Sequence, residues 1–144
     1  MVVEEPVEDR FVEALCVLRA RIFEGSPAES SGLTPALAKA LLAITDGGER
    51  HLRVRELAES LGIKESSASV LADRLVQAGL ANKKPDPVDA RALLVGASPS
   101  GSKLAEAVRL HRRRIARSLM EVLSREESQR LLEYLEKMGK REEY

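Results

Sequence analysis

Two groups of side chains between residues 64 and 91 have the chemistry needed to contact DNA. The first lies on a helical pattern from Lys64 to Ala78, where small polar and charged residues occupy the outward positions. Serine hydroxyls donate to or accept from base edges and phosphates, and a valine methyl suits a thymine methyl. A solvent-exposed helix face without a ligand has similar composition and is the alternative interpretation. The candidate contacts on this helix are Lys64, Ser66, Ser67, Ser69, Val70 and Arg74.

The second group lies on a predicted β-hairpin. Its strands cover residues 80–84 and 91–97 and flank the turn 85–90, in which two prolines and two aspartates favour a protruding conformation. Lys83 and Lys84 are placed to meet phosphates, and Arg91 to enter a narrow minor groove. Asp89 is predicted to hold the Arg91 guanidinium by a charge-assisted hydrogen bond. The alternative is a surface salt bridge of little energetic weight.

The elements around these groups predict a helix-turn-helix motif. A short helix is expected from Val54 to Leu61, and Gly62 suits its left-handed C-terminal cap before the helix at Lys64. A preceding helix starts with Thr34 as N-cap and Pro35 in its first turn, and stops at residues 46–48. Residues 29–32 are expected to form a loop. The order helix, turn, helix, hairpin predicts a winged helix-turn-helix lobe over residues 33–97 that binds DNA.

Helical patterns also flank this lobe, over residues 7–24 and 100–138. Ser100 is expected to start a long helix to about Leu123, and the sequence from Ser124 to Glu127 matches a capping box that opens a last helix. These helices carry more apolar surface than one small lobe covers, which predicts a dimer. The fold class is therefore mainly α with a small β-hairpin, in which dimerisation helices flank the lobe.

Composition is consistent with one folded domain over residues 1–144. The apolar fraction is 44%, and the single cysteine excludes an internal disulfide. No membrane span or signal peptide is evident, so a cytoplasmic location is expected. The formal net charge is zero, which by itself argues against a nucleic-acid partner. Local clusters matter more, because five arginines and no acidic residue lie between residues 109 and 117.

No pattern predicts an enzyme, a cofactor or a metal site. Residues 96–103 resemble a phosphate-binding loop, but the lysine and the hydroxyl residue are in the wrong order. Two histidines and one cysteine far apart in sequence make no credible zinc site. His111 falls where the apolar stripe of its helix calls for a hydrophobic residue. A core or interface histidine is the favoured interpretation, and an effector-pocket residue is the alternative.

The chain resembles the multiple-antibiotic-resistance regulator (MarR) family of winged-helix transcription factors. The most discriminating match is the wing, Asp89-Ala90-Arg91, followed by a strand and Ser98-Pro99-Ser100-Gly101. The resemblance covers about residues 7–138. Further matching segments are Leu33-Thr34-Pro35, Leu57-Ala58-Glu59-Ser60-Leu61-Gly62, Asp73-Arg74-Leu75 and Ala78-Gly79-Leu80.

This resemblance implies a homodimer whose first and last helices intertwine and whose partner is a pseudo-palindromic double-stranded operator. It also implies repression relieved by a small aromatic or phenolic effector bound between the DNA-binding and dimerisation parts. Lys64 stands where the family commonly has a capping serine, Val70 where an arginine is frequent, and Ala90 where the wing often has a second arginine. The base preference of relatives is therefore not transferable.

One branch of the family senses organic hydroperoxides through a cysteine in the first helix, where this chain has Cys16. A sensor thiol needs access and a depressed pKa. The tyrosine partners of that branch are missing here, so packing as a small apolar residue is the favoured interpretation of Cys16. A thiol-based redox regulator and a winged-helix module that binds proteins are the alternative functions.

Overall fold

The computed structural model describes residues 3–46 and 51–140 of the chain. Helices dominate, and a three-stranded antiparallel sheet has the strand order β1-β3-β2. In chain order the elements are α1 (Val7–Phe23), α2 (Pro27–Ser30), α3 (Pro35–Thr45), β1 (Leu52–Arg53), α4 (Val54–Leu61), α5 (Glu65–Gln77), β2 (Ala81–Pro85), β3 (Leu93–Ala97), α6 (Pro99–Met120) and α7 (Arg125–Gly139).

The core lies where α3, α4, α5 and the sheet meet the first half of α6. The largest fully buried side chains are contributed by four different elements, so one apolar cluster holds the lobe together. α3 is central because six of its eleven residues are buried. Those fully buried side chains are Leu41, Ile44, Leu57, Leu75 and Val95.

Local signals in the sequence set most helix ends as predicted. The Thr34 hydroxyl accepts from the Leu37 amide at 3.2 Å, and Pro35 occupies the first turn of α3. Gly62 ends α4 with φ of 65°, a left-handed conformation that glycine adopts without a steric penalty. Ser124 and Glu127 form the predicted capping box at α7. The predicted stop of α3 at Gly47 and Gly48 lies outside the described residues.

Three predictions at α2 and α6 are wrong. Residues 27–30 form the short helix α2, which takes up the first half of the loop predicted over residues 29–32, because Ser26 caps the Ala28 amide and Pro27 occupies the first turn. The long helix α6 starts at Pro99, since Ser98 and not Ser100 is its N-cap, and the Ser98 hydroxyl accepts from the Gly101 amide. α6 also ends at Met120, three residues before the predicted end.

The hairpin strands are shifted relative to the prediction. β2 covers Ala81–Pro85, and β3 begins at Leu93, so Arg91 lies in the turn and does not open a strand. The cause is local, since the Asp89 carboxylate accepts from the Arg91 amide at 3.0 Å and keeps that residue out of the ladder. The third strand, β1, pairs with β3 through Leu52 and Arg53.

Candidate nucleic-acid interface

The helix-turn-helix motif consists of α4, the turn at residues 62–64 and α5. Ala68, Ala72 and Leu75 bury one face of α5 against the core, so its opposite face is directed to solvent. Lys64 occupies the N-cap position and makes no side-chain cap hydrogen bond. Its ammonium group therefore stays available at the exposed end of α5, at the cost of a weaker cap.

The residues predicted to contact DNA from α5 share this outward face. Val70 is 50% exposed although it is apolar, as a residue that reads a thymine methyl would be. Ser69 is half-buried at the edge of the face. The remaining predicted contacts, Lys64, Ser66, Ser67 and Arg74, are exposed.

The wing turn between β2 and β3 is closed by hydrogen bonds of its own residues. The Asp86 amide donates to the Ala92 carbonyl at 3.0 Å, and the Ala92 amide donates to the Asp89 carbonyl at 3.0 Å. Arg91 lies inside this closed turn with an exposed side chain. The expected contact between Asp89 and the Arg91 guanidinium is absent, since Asp89 binds the Arg91 backbone amide instead. Asp89 therefore shapes the turn and leaves the guanidinium unpaired among the described residues.

Asp86, which the sequence analysis did not single out, is the buried anchor of this turn. Its side chain is only 6% exposed, one carboxylate oxygen accepts from the Val88 amide at 2.9 Å, and the other meets Arg53 Nη2 at 2.7 Å. The Val88 hydrogen bond lowers the pKa of Asp86, and Arg53 lowers it further, although burial opposes both. Asp86 is therefore ionised at neutral pH.

A second ion pair joins the wing to α5. The Lys83 ammonium on β2 binds the Asp73 carboxylate on α5, and the Lys83 side chain is 20% exposed. Lys84, the next residue, is exposed. The two predicted phosphate-binding lysines thus differ, because Lys83 already has a partner within the chain.

The base of the wing is locked to α6 by a close backbone crossing. The Ser98 hydroxyl donates to the Gly79 carbonyl at 2.6 Å, and the Ser98 amide donates to the Leu80 carbonyl at 3.0 Å. A Cβ at Gly101 would lie 1.9 Å from that same carbonyl oxygen, so only glycine fits there. This crossing explains the glycine of the Ser-Pro-Ser-Gly segment and fixes α6 to the C-terminal end of α5.

Arg109 makes a second connection between α6 and the lobe, which the sequence analysis missed. Its Nη2 donates to the Leu42 carbonyl at 3.0 Å, to Thr45 Oγ1 at 2.7 Å and to Asp46 Oδ1 at 3.0 Å. Cationic donors at the C-terminal end of a helix satisfy carbonyls that lack partners within the helix. Arg109 thereby caps α3 from another helix.

A cavity of about 390 Å³ lies between α1 and α6. Its wall is basic, and its lining residues are Ile22, Arg109, Arg112, Arg113 and Ala116. His111 is not among them, although it is half-buried on the same helix. The His111 Nε2 atom is buried without a hydrogen-bond partner among the described residues.

Cys16 is exposed on α1, so it does not pack into the core of its own chain as was favoured from the sequence. No group of three or more metal-binding side chains comes together within residues 3–46 and 51–140. Across those same residues, no helix combines the length and apolar character that crossing a membrane requires.

A helix-turn-helix followed by a hairpin wing and carried between long helices defines a winged-helix fold. Residues 31–92 match the MarR family model. The resemblance drawn from the sequence is therefore confirmed over these residues, which form a winged helix-turn-helix lobe of the MarR type. The predicted fold class is confirmed as well. Among curated proteins, none matches the sequence significantly.

Solved structures of similar fold span nearly the whole chain. The S. aureus MepR–DNA complex is 23% identical, covers 94% of this chain and 97% of MepR, and gives a TM-score of 0.77. Bordetella bronchiseptica BpsR, described for regulation of its DNA binding by 6-hydroxynicotinic acid, is 25% identical over 91% of this chain and 99% of BpsR, with a TM-score of 0.72. A probable transcriptional regulator from Pseudomonas aeruginosa is 26% identical over 92% of this chain and 99% of its own, also with a TM-score of 0.72.

Proposed function

We propose that this chain is a dimeric, sequence-specific DNA-binding regulator of transcription, and that it acts as a repressor released by a small-molecule effector. The observation that carries the proposal is that the two predicted DNA-contacting surfaces, on α5 and on the wing, lie on the same lobe. The exposed polar face of α5 and the exposed Arg91 of the wing are held on one core, and the Lys83–Asp73 pair connects α5 to the wing. That arrangement suits one helix in a major groove and one arginine in the adjacent minor groove.

The neutral net charge of the chain does not oppose this proposal. Two acidic side chains near the interface, Asp73 and Asp86, are each paired with a cation of the same lobe. Such pairing reduces the repulsion that a free carboxylate would exert on phosphates. Lys64, Lys84 and Arg91 remain exposed and are proposed to supply the attraction to the DNA backbone and minor groove.

Dimerisation is proposed for the helices outside the lobe, residues 7–24 and 100–138. α1 and α7 contain no buried residue, yet Phe11 and Leu15 on α1 are 44% and 41% exposed, and Leu131 and Leu135 on α7 are 40% exposed each. Apolar side chains in such number are covered by a partner in most soluble proteins. A second copy of this chain is the partner that a two-fold symmetric operator requires.

Sedimentation tests the dimer directly. We expect the full chain to sediment as a dimer at micromolar concentration, and a chain ending at Ser124 to aggregate or unfold because it lacks α7. A full chain that sediments as a stable monomer contradicts the proposal.

For the effector, we propose a small aromatic acid in the cavity between α1 and α6. Arg112 and Arg113 in the cavity wall suit a carboxylate, and Ile22 and Ala116 offer apolar contact to a ring. BpsR, whose DNA binding is regulated by an aromatic acid, has a similar fold. By linkage, an effector that weakens DNA binding must itself bind the DNA complex less tightly.

The proposed effector site is tested by measuring DNA affinity in the presence of a panel of small aromatic compounds. 6-Hydroxynicotinic acid and benzoic acid are compared with uncharged benzamide, and Arg112→Ala is compared with the wild type. We expect the two acids, but not benzamide, to weaken DNA binding by the wild type. In Arg112→Ala the acids should no longer weaken DNA binding. No change in DNA affinity with any aromatic acid would count against the effector site.

The function itself is tested by DNA selection. The dimer should retain pseudo-palindromic duplexes with half-sites about 10 base pairs apart. Its affinity for the best duplex should exceed that for random DNA by at least about 10³-fold at physiological salt. Arg91→Ala should weaken this binding, whereas Arg125→Ala on the distant α7 should not. Equal affinity for selected and random DNA would favour a winged helix that binds proteins.

A further inference from the structure

The position of the wing arginine depends on a residue outside the wing. Arg53 lies in β1, which pairs with β3, and its side chain reaches across to Asp86 in the turn beyond β2. Residue 53 also marks the N-terminal boundary of α4, the first helix of the helix-turn-helix motif. The Arg53–Asp86 pair therefore connects the wing turn to the motif that carries the recognition helix.

Asp86 joins this connection to Arg91 through the turn itself. Its carboxylate accepts from the Val88 amide, and its own amide donates to the Ala92 carbonyl, directly after Arg91. Loss of Arg53 would leave a nearly buried carboxylate without its cation at the base of this turn. A carboxylate without a cationic partner is more stable in contact with water, because burial disfavours its charged form. The turn would open, and Arg91 would lose its fixed direction.

The exposure of the two side chains separates their roles. The Arg53 side chain is 45% exposed, and its guanidinium forms an ion pair with Asp86. Arg91, by contrast, is exposed and has no ion-pair partner among the described residues. A preorganised side chain binds more tightly than a mobile one, because less freedom is lost on binding.

We propose that Arg53 and Asp86 are positioning residues that fix the wing so that Arg91 enters the minor groove, and that Arg53 itself makes no contact with DNA. This inference rests on the proposed DNA-binding function. By exposure and charge alone, Arg53 would be assigned to the DNA contacts, and the nearly buried Asp86 would be assigned no role.

A double-mutant cycle between Arg53→Met and Arg91→Ala tests the inference. Arg53→Met alone should weaken binding to the selected duplex about threefold to tenfold, the range expected when one long side chain must be ordered on binding. In the Arg91→Ala background, Arg53→Met should change affinity by less than about twofold, since no arginine remains to be positioned. Asp86→Asn, which keeps an oxygen for the Val88 amide, should behave like Arg53→Met.

Arg55→Met is the matched control, because Arg55 is two residues away and its side chain is 76% exposed beside Glu59. It removes the same charge without touching the wing, so its effect should be the same with and without Arg91. If Arg53→Met also lowers affinity equally in both backgrounds, Arg53 acts on DNA directly and the inference is wrong. No effect of Arg53→Met in either background overturns it as well.

A second measurement needs no DNA and keeps this inference separate from the proposed function. Amide hydrogen exchange at Val88 and Ala92 should be at least about threefold faster in Arg53→Met than in the wild type, while exchange at Ala105 in α6 stays unchanged. Unchanged exchange in the turn refutes the positioning role even if the protein binds DNA. Faster exchange supports the fixing of the wing turn by Arg53 even if the wild type fails to select a duplex, a result that would contradict the proposed function and, with it, the entry of Arg91 into a minor groove.

Discussion

Replacing Gly101 by alanine should destabilise the protein through one atomic overlap. The new Cβ would lie 1.9 Å from the Leu80 carbonyl oxygen and 2.8 Å from its carbon, whereas unstrained heavy atoms of this kind keep about 3.5 Å apart. Backbone must therefore move by more than about 1 Å, and overpacking of this kind costs about 1–3 kcal/mol. The same carbonyl accepts from the Ser98 amide at 3.0 Å, so disturbing it adds about 1 kcal/mol.

The expected loss for Gly101→Ala is therefore about 2–4 kcal/mol in the free energy of unfolding. Chemical denaturation at fixed protomer concentration measures it, because dimer stability depends on concentration. Gly139→Ala is the control: a Cβ there meets nothing within 4 Å, and alanine favours the helix by up to about 1 kcal/mol. If Gly101→Ala unfolds at the same denaturant concentration as the wild type, the close crossing of α6 over Leu80 is not the constraint described above.

Three further changes have defined outcomes. Lys84→Ala should weaken binding to all DNA sequences and lower by about one the slope of the logarithm of affinity against the logarithm of salt concentration. Lys83→Ala should change this slope less, since Lys83 is already paired with Asp73. Equal slopes for the two variants would contradict this prediction. Because the pKa of Asp86 is lowered in the folded state, its contribution is present above its usual value of 3.8 and lost as pH falls through the lowered pKa. The stability difference between wild type and Asp86→Asn should shrink over that acidic range in urea titrations, and a difference that grows would refute the sign. Low hydroperoxide should not release DNA from the wild type, and release that Cys16→Ser abolishes would establish a thiol sensor.

Elements set by neighbours in sequence were the ones that could be predicted. Gly62, Thr34 and the Ser124–Glu127 capping box act within a few residues, and the ends of their helices agree with the structure. The same logic explains the errors. Ser98 and Ser100 are both candidate N-caps at the start of α6. Ser98 is the N-cap because its hydroxyl and amide also bind Gly79 and Leu80. Those partners lie about twenty residues away and leave no local pattern.

The candidate interface divides in the same way. Exposure of the α5 face follows from helical periodicity, and most of its predicted residues are exposed. The charge partners could not be predicted, because Arg53–Asp86 and Asp73–Lys83 depend on how β1 and α5 pack beside the wing. Asp89 was assigned the wrong partner for a related reason. An aspartate two residues before an amide in a turn readily bonds that amide, which competes with the longer reach to a guanidinium.

The arrangement of α6 bears on how a dimer would present its two recognition helices. α6 is attached to the lobe at two places, at Gly101 beside the end of α5 and at Arg109 beside the end of α3. Eight residues separate these attachments, which is about 12 Å along the helix. One attachment would let the lobe pivot about α6, whereas two at this distance fix its direction as well as its position. A change in the angle between α6 and the second copy would therefore move the whole lobe as a rigid unit. The cavity whose wall includes Arg109 lies at one of these two attachments, where a bound anion would compete with α3 for the same guanidinium.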